Sequence, residues 1–258
     1  MPNVARGRFV WYELLAGDTE AAKPFYSALT GWGAAPMPEA TMPYELWMNG
    51  ESPVGGLMTL PPEAAAAGAP PHWMPYIATP DVFATAEQAT GLGATVLAGP
   101  ENAPGIGGWV VIQDPQGAVF AAYTPEQDMD AYKAPKMGEF SWHELMTSDW
   151  QAAWDFYSTL FGWQKTEAMD MGDEMGTYQM YGQDEVTYGG MYNKPPAVPA
   201  PPHWLLYIAV DDVEKRAEDV TANGGQIVNG PMEVPGGDKV VMCIDPQGAA
   251  FALHSKAS

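Results

Sequence analysis

The chain has 258 residues, 47% of them hydrophobic and 12% aromatic, a composition expected of a soluble globular protein of one or two domains. Its 32 acidic side chains against 11 basic ones leave a formal charge of −21, spread along the sequence, which argues against nucleic acid and anionic lipid surfaces as partners. No apolar run is long enough to cross a bilayer, the start MPNVARGRFVW lacks the apolar core of a secretory signal, and the single cysteine, Cys243, allows no intrachain disulfide; together these predict a cytoplasmic protein.

In chain order, residues 8–16 alternate apolar and polar side chains and predict a strand. Asp18 stands at a helix-start position, a helix is expected over 18–30, and Gly31 ends it. Residues 44–48 and 54–59 read as two strands joined across Asn49-Gly50, a pair that favours the positive φ of a tight hairpin. The stretch 61–71, PPEAAAAGAPP, is a linker with room for one turn of helix. The same grammar resumes at His72: strand 73–79, helix 82–90, short strand 95–97, strand 108–113, the turn Asp114-Pro115-Gln116-Gly117, and strand 118–123. Residues 125–136 lead to a second pass through the pattern, with its own linker PPAVPAPP at 195–202.

That second pass is a duplication. The stretch 138–163, GEFSWHELMTSDWQAAWDFYSTLFGW, is an altered copy of 7–32, GRFVWYELLAGDTEAAKPFYSALTGW. An offset of 131 residues relates Pro71-His72-Trp73 to Pro202-His203-Trp204, Tyr76-Ile77-Ala78 to Tyr207-Ile208-Ala209, Gly99-Pro100 to Gly230-Pro231, and the Asp114 turn to Asp245-Pro246-Gln247-Gly248. In both copies an Asp (Asp18, Asp149) can cap a helix whose buried stripe is Phe25, Tyr26 and Leu29, or Phe156, Tyr157 and Leu160. The expected class is α+β: a tandem duplication of a domain made of two β-α-β-β-β units, four in all, over 7–125 and 137–256. A sheet with helices on one face must bury the other, so curved mixed sheets enclosing clefts are expected, with a small ligand on the concave side.

At this point the residues resemble the glyoxalase, bleomycin-resistance and extradiol-dioxygenase group, the vicinal oxygen chelate superfamily, and within it a bacterial two-domain glyoxalase-like subgroup. The marks are FYSTLFGW after the strand and Asp, the Gly-Gly pairs Gly55-Gly56 and Gly189-Gly190, the opening YIAVDDV, and the closing DPQGAAFAL. The resemblance implies the fold, and implies a divalent metal only where its ligands are present. Carried over residue by residue, the usual ligand positions hold Trp11, Met74 and Ala121 in the first half and Trp142, Leu205 and Ala252 in the second. None suits Mn²⁺, Fe²⁺, Ni²⁺ or Zn²⁺, so no cofactor is expected.

Glu13 shares a strand face with Trp11, and Glu144 with Trp142, two residues apart. A carboxylate among apolar neighbours would have a raised pKa suited to a general base; a structural tie to backbone or to a His is the open alternative. His72 and His203, each after Pro-Pro and before Trp, are candidate acid-base groups, with packing on the prolines as the alternative. Glu144, His203 and His254 lie in phase with the usual ligand positions, which leaves open a shifted divalent-metal site serving a lyase, isomerase or dioxygenase. Trp11, Trp73, Tyr76, Trp142, Trp204 and Tyr207 recur at matching places and are expected to wall a pocket for an apolar or aromatic molecule. His143 is expected at the surface, and no Ser-His-Asp arrangement is legible. The leading expectation is a small-molecule-binding protein, sequestering its ligand or acting on it through Glu and His; a stress or partner-binding protein with vestigial clefts is a further alternative. Whether it is catalytic, and whether the halves pair within one chain or in a homodimer, stays open at this level.

Overall fold

The computed structural model describes residues 2–37, 42–173 and 176–257. Among them four β-α-β-β-β units follow one another. The first is β1 (Phe9–Ala16), α1 (Thr19–Thr30), β2 (Gly33–Pro36), β3 (Glu45–Asn49) and β4 (Ser52–Thr59), followed by a short helix, α2 (Pro62–Ala66), in the expected linker. The second is β5 (His72–Ala78), α3 (Val82–Gly91), β6 (Thr95–Ala103), β7 (Gly107–Gln113) and β8 (Val119–Pro125). The third is β9 (Phe140–Thr147), α4 (Trp150–Phe161), β10 (Gln164–Asp170), β11 (Thr177–Gln183) and β12 (Val186–Asn193). The fourth is β13 (His203–Ala209), α5 (Val213–Ala222), β14 (Gln226–Glu233), β15 (Lys239–Ile244) and β16 (Ala250–Ser255).

The strands form two eight-stranded mixed sheets of matching order, β2-β3-β4-β1-β5-β8-β7-β6 and β10-β11-β12-β9-β13-β16-β15-β14. Within each unit the first and last strands run parallel, as Glu13 beside Gly56 and Glu144 beside Gly190, while the hairpins are antiparallel. Two strands exceed what periodicity reveals. The stretch GAAP of β2 has no apolar alternation, yet it pairs with β3 from Gly33↔Met48 to Pro36↔Glu45. β6 runs on past residue 97 to Ala103 through two register shifts that hide its period.

The helices begin and end as their sequences dictate. The Asp18 carboxylate accepts the Ala21 N–H, and that of Asp149 accepts those of Gln151 and Ala152, satisfying donors that a helix start leaves free. Gly31 and Gly162 stop the helices in the left-handed region at φ 77° and 75°, and their N–H groups reach back to Ser27 and Ser158.

The chain packs as two compact units, each drawn from three segments: Met1–Val10, Pro75–Lys133 and His143–Trp204 in one, and Trp11–Met74, Ala134–Trp142 and Leu205–Ser258 in the other. In the first, α3 packs on α4, and Tyr157 is enclosed by Phe120, Trp163 and Trp204 at ring separations of 5.3, 5.5 and 5.3 Å. In the second, α1 packs on α5, and Tyr26 is enclosed by Trp47, Trp73 and Phe251 at 5.6, 5.3 and 5.5 Å. Each tyrosine is the middle link of a buried chain of hydrogen bonds. Trp204 Nε1 donates to the Tyr157 hydroxyl at 3.3 Å and that hydroxyl to Asp114 at 2.9 Å; Trp73 donates to Tyr26 at 2.9 Å and Tyr26 to Asp245 at 3.0 Å. The same aspartates accept backbone N–H groups of their own turns, so the Asp-Pro-Gln-Gly turn is tied to a helix from the other half of the sequence.

Candidate functional site

The first strand of each half carries one carboxylate into the interior: Glu13 and Glu144 are each only 4% exposed. A buried carboxylate must be hydrogen-bonded, and tyrosines from the same unit meet the requirement. Tyr178 on β11 donates to Glu144 Oε2 at 2.9 Å, and Tyr192 on β12 also bonds to Glu144. Tyr44, just ahead of β3, bonds to Glu13 and receives the Trp11 indole N–H at 3.0 Å. Burial foremost, and then the neighbouring glutamate, hold the Tyr44 and Tyr192 phenols far above their usual range, so both stay protonated donors.

The Gly-Gly pairs make this geometry fit. A Cβ on Gly55 would meet the Tyr12 carbonyl oxygen at 2.5 Å, and one on Gly189 would overlap that of His143, because parallel strands approach closely there. A Cβ on Gly56 would fall on the Tyr44 hydroxyl and within 3.2 Å of Glu13 Oε1, and one on Gly190 would fall on the Tyr178 ring. Tyr44 and Tyr178 can therefore reach their glutamates only over a glycine. The strand phase that singles out Glu13 and Glu144 does not reveal these tyrosines; the signal present is that Tyr44 and Tyr178 share with the Gly-Gly pairs an offset of 134, after three inserted residues.

His72 and His203 point Nδ1 at the carbonyls of Pro70 and Pro201, at 2.8 and 2.9 Å, and burial lowers both pKa values. A ring N–H facing a carbonyl leaves Nε2 as the acceptor of a neutral imidazole. Trp73 and Trp204 are 3% and 4% exposed and their indoles are committed to Tyr26 and Tyr157, so these two are interior packing rather than pocket wall. Trp11, Tyr76 and Trp142 remain partly exposed; Tyr207 is buried, with Trp142 packed against the cluster of Leu205, Tyr207, Val240 and Ala252.

The residues at the usual ligand positions do not fit a divalent metal, since Trp142, Leu205 and Ala252 form one apolar cluster. The shifted set fails too. Among the described residues no group of three or more His, Cys, Asp or Glu could hold an ion; Glu144 is engaged by tyrosines, His203 by Pro201, and His254 by Ser141 and Asp238. The expected surface position of His143 is likewise corrected. It is 6% exposed, stacks on Phe9 at 3.7 Å, and its Nδ1 lies 2.7 Å from the Tyr188 carbonyl, because the strand face opposite Glu144 is covered as well. A surface hollow of about 570 Å³ at α5, bounded by Glu214, Ala217, Glu218, Thr221, Ala222 and Pro231, contains none of these candidates.

Fold and sequence together define a class. A family model described as the Glyoxalase/Bleomycin resistance protein/Dioxygenase superfamily matches residues 139–253, and one described as a Glyoxalase-like domain matches 12–123. A Mycobacterium tuberculosis protein named "Putative glyoxylase CFP32" is 31% identical over 250 residues, 96% of this chain and 94% of that one. The anthracycline biosynthesis protein DnrV of Streptomyces peucetius is 26% identical over 275 residues, 98% and 94% of the two chains. The chain belongs to the glyoxalase, bleomycin-resistance and dioxygenase superfamily, in its bacterial two-domain glyoxalase-like architecture. Among solved structures, the Mn(II)-bound glyoxalase from Novosphingobium aromaticivorans aligns with a TM-score of 0.61 at 18% identity, covering 100% of this chain and 84% of that one. The 2,3-dioxygenase LapB from Pseudomonas sp. KL28 aligns at 0.64 and 12%, covering 100% and 94%. At such identities the likeness is one of fold.

Proposed function

We propose that this protein binds a small, largely apolar or aromatic molecule on the inner faces of its sheets, and that Glu13 and Glu144 anchor the ligand's polar group or move a proton to or from it. The observation that carries the reading is the buried carboxylate held by ordered tyrosine hydroxyls that recurs in both halves, with the partly exposed Trp11 donating to Tyr44 beside Glu13. A carboxylate fixed this way keeps a lone pair oriented without solvent, as proton transfer requires. His72 and His203, held as neutral imidazoles, are the auxiliary bases, and the partly exposed Trp11, Tyr76 and Trp142 supply aromatic surface.

Under this reading residues 7–125 and 137–256 are the two repeated domains of a cytoplasmic protein that does not engage nucleic acid or membranes. The matching sheet orders support it, and no helix among the described residues is long and apolar enough to cross a membrane. The relative named for anthracycline biosynthesis favours a planar polycyclic ligand over a small aliphatic one.

The test is titration with a hydroxylated anthraquinone, read by tryptophan fluorescence. Saturable quenching is expected, weakened about 10-fold or more in Glu144→Gln or Glu13→Gln, which keep shape but lose charge. Absence of saturable binding in the folded wild type, or equal affinity in both variants, overturns the reading.

A further inference from the structure

A Ser-His-Asp arrangement that is not legible along the chain is formed where the first strand of the third unit meets the fourth unit. Ser141 Oγ lies 2.9 Å from His254 Nδ1, and His254 Nε2 lies 2.8 Å from Asp238 Oδ2. The three residues stand on β9, on β16 and in the turn before β15, and all belong to one compact unit. Asp238 is itself fixed, its Oδ1 accepting the Ala257 N–H at 2.9 Å and its backbone carbonyl accepting the Val234 N–H at 2.8 Å. The backbone bond from Ala257 and the hydrogen bond from His254 hold the Asp238 carboxyl below its usual range, so it is an ionised acceptor.

These contacts decide the tautomer. A carboxylate only accepts, so the His254 proton sits on Nε2 and the Nδ1 lone pair faces the serine. Ser141 has a second acceptor in the Tyr207 carbonyl at 3.4 Å, a longer contact, and its hydroxyl donates to His254. The chain carboxylate, imidazole, hydroxyl is that of an activated serine, with the two ring nitrogens exchanged relative to the familiar protease arrangement.

The surroundings select what could reach it. His254 is two residues from Ala252 on one strand face and opposite Val240 in the β15–β16 register, and both belong to the apolar cluster against which Trp142 packs. Side-chain exposure is 16% for His254 and 37% for Asp238, so the relay is at the edge of that cluster rather than sealed within it. At an offset of 131 the first half has Val10, Gly107 and Tyr123 in place of Ser141, Asp238 and His254, and Tyr123 donates to the Ile106 carbonyl instead.

We propose that Ser141, His254 and Asp238 form a nucleophilic site, confined to the second half, that accepts acyl groups from esters with an apolar or aryl portion. Ser141 Oγ bonds to the acyl carbon as its proton passes to His254 Nδ1. The carbon–oxygen bond to the alcohol then breaks, and the departing oxygen takes that proton. A water attacks the acyl-serine with His254 again as base, releasing the carboxylic acid and restoring the hydroxyl. No oxidant, metal or further reactant enters. The site uses neither Glu13 nor Glu144, so it stands or falls apart from the function proposed above.

The experiment is exposure of the intact protein to a fluorophosphonate probe, with the adduct mapped by peptide mass spectrometry, alongside hydrolysis of p-nitrophenyl butyrate. One adduct on Ser141 is expected, with ester turnover abolished in Ser141→Ala and reduced about 100-fold in Asp238→Asn. Anthraquinone binding should survive in Ser141→Ala, which separates loss of this site from loss of the other and reports folding. No adduct on Ser141 in wild-type protein, where no variant can have misfolded, or turnover unchanged in a Ser141→Ala protein that still melts cooperatively, overturns the proposal.

Discussion

His143 is stacked on Phe9 and faces the Tyr188 carbonyl, and burial pushes its imidazole down to about 4. The unfolded chain would take up its proton near pH 6.5 while the folded chain resists until about pH 4, so this residue's stabilising share is present above 6.5 and lost as pH falls towards 4. Between pH 7 and pH 5 the loss is about 2 kcal/mol from this residue alone. Urea denaturation at the two pH values should show that difference shrinking in His143→Phe; an unchanged pH dependence would refute the assignment. Gly190 makes a second residue-scale case. Its Cβ would land on the Tyr178 ring, so Gly190→Ala should cost about 1–3 kcal/mol in urea denaturation and weaken anthraquinone binding as the Tyr178–Glu144 bond opens. A variant as stable as wild type would mean that the ring moves freely.

At the scale of elements, α1 and α4 depend on capping because each is only 12 residues long and marginal without packing. Asp149→Ala should lower stability by about 1 kcal/mol, seen as a lower midpoint with an unchanged denaturant slope. Asp149→Asn should restore most of it, since the cap needs an acceptor rather than a charge; a loss as large as that of alanine would point to charge instead. The helices, the hairpins and most strand positions were legible because capping residues, Gly-Trp stops and alternation are local signals. β2 was not, since Gly-Ala-Ala-Pro has no period and becomes a strand only through its pairing with Glu45–Asn49. The site was half legible. Glu13 and Glu144 stood out by strand phase, whereas Tyr44, Tyr178 and Tyr192 did not, because a hydrogen bond across strands leaves no trace in spacing along one strand.

For the whole molecule, each compact unit is assembled from both halves of the sequence. Tyr157 is packed by Phe120 and bonded to Asp114, while Tyr26 is bonded to Asp245 and packed by Phe251. A half chain of residues 1–130 or 134–258 therefore bares an aromatic cluster and leaves a buried tyrosine hydroxyl without its carboxylate. Sedimentation should show each half self-associated or aggregated, and coexpression should recover one particle with a cooperative melt. Two separate monomeric halves that each melt cooperatively would contradict this.

Sequence by itself determined the duplication, the four units, the helix caps and the unsuitability of Trp142, Leu205 and Ala252 as metal ligands, since all of these are carried by residue identity and by periods or offsets along the chain. Tertiary structure alone decided what side chains distant in sequence do together. His143 is stacked on a phenylalanine 134 positions away, and Asp114 accepts from Tyr157 rather than serving only its own turn. Ser141, 113 residues from His254, meets it only because β9 and β16 belong to one sheet. Contacts of that kind depend on which strands pair and which faces close, and the net result of many weak packing terms is not written in any one stretch of chain.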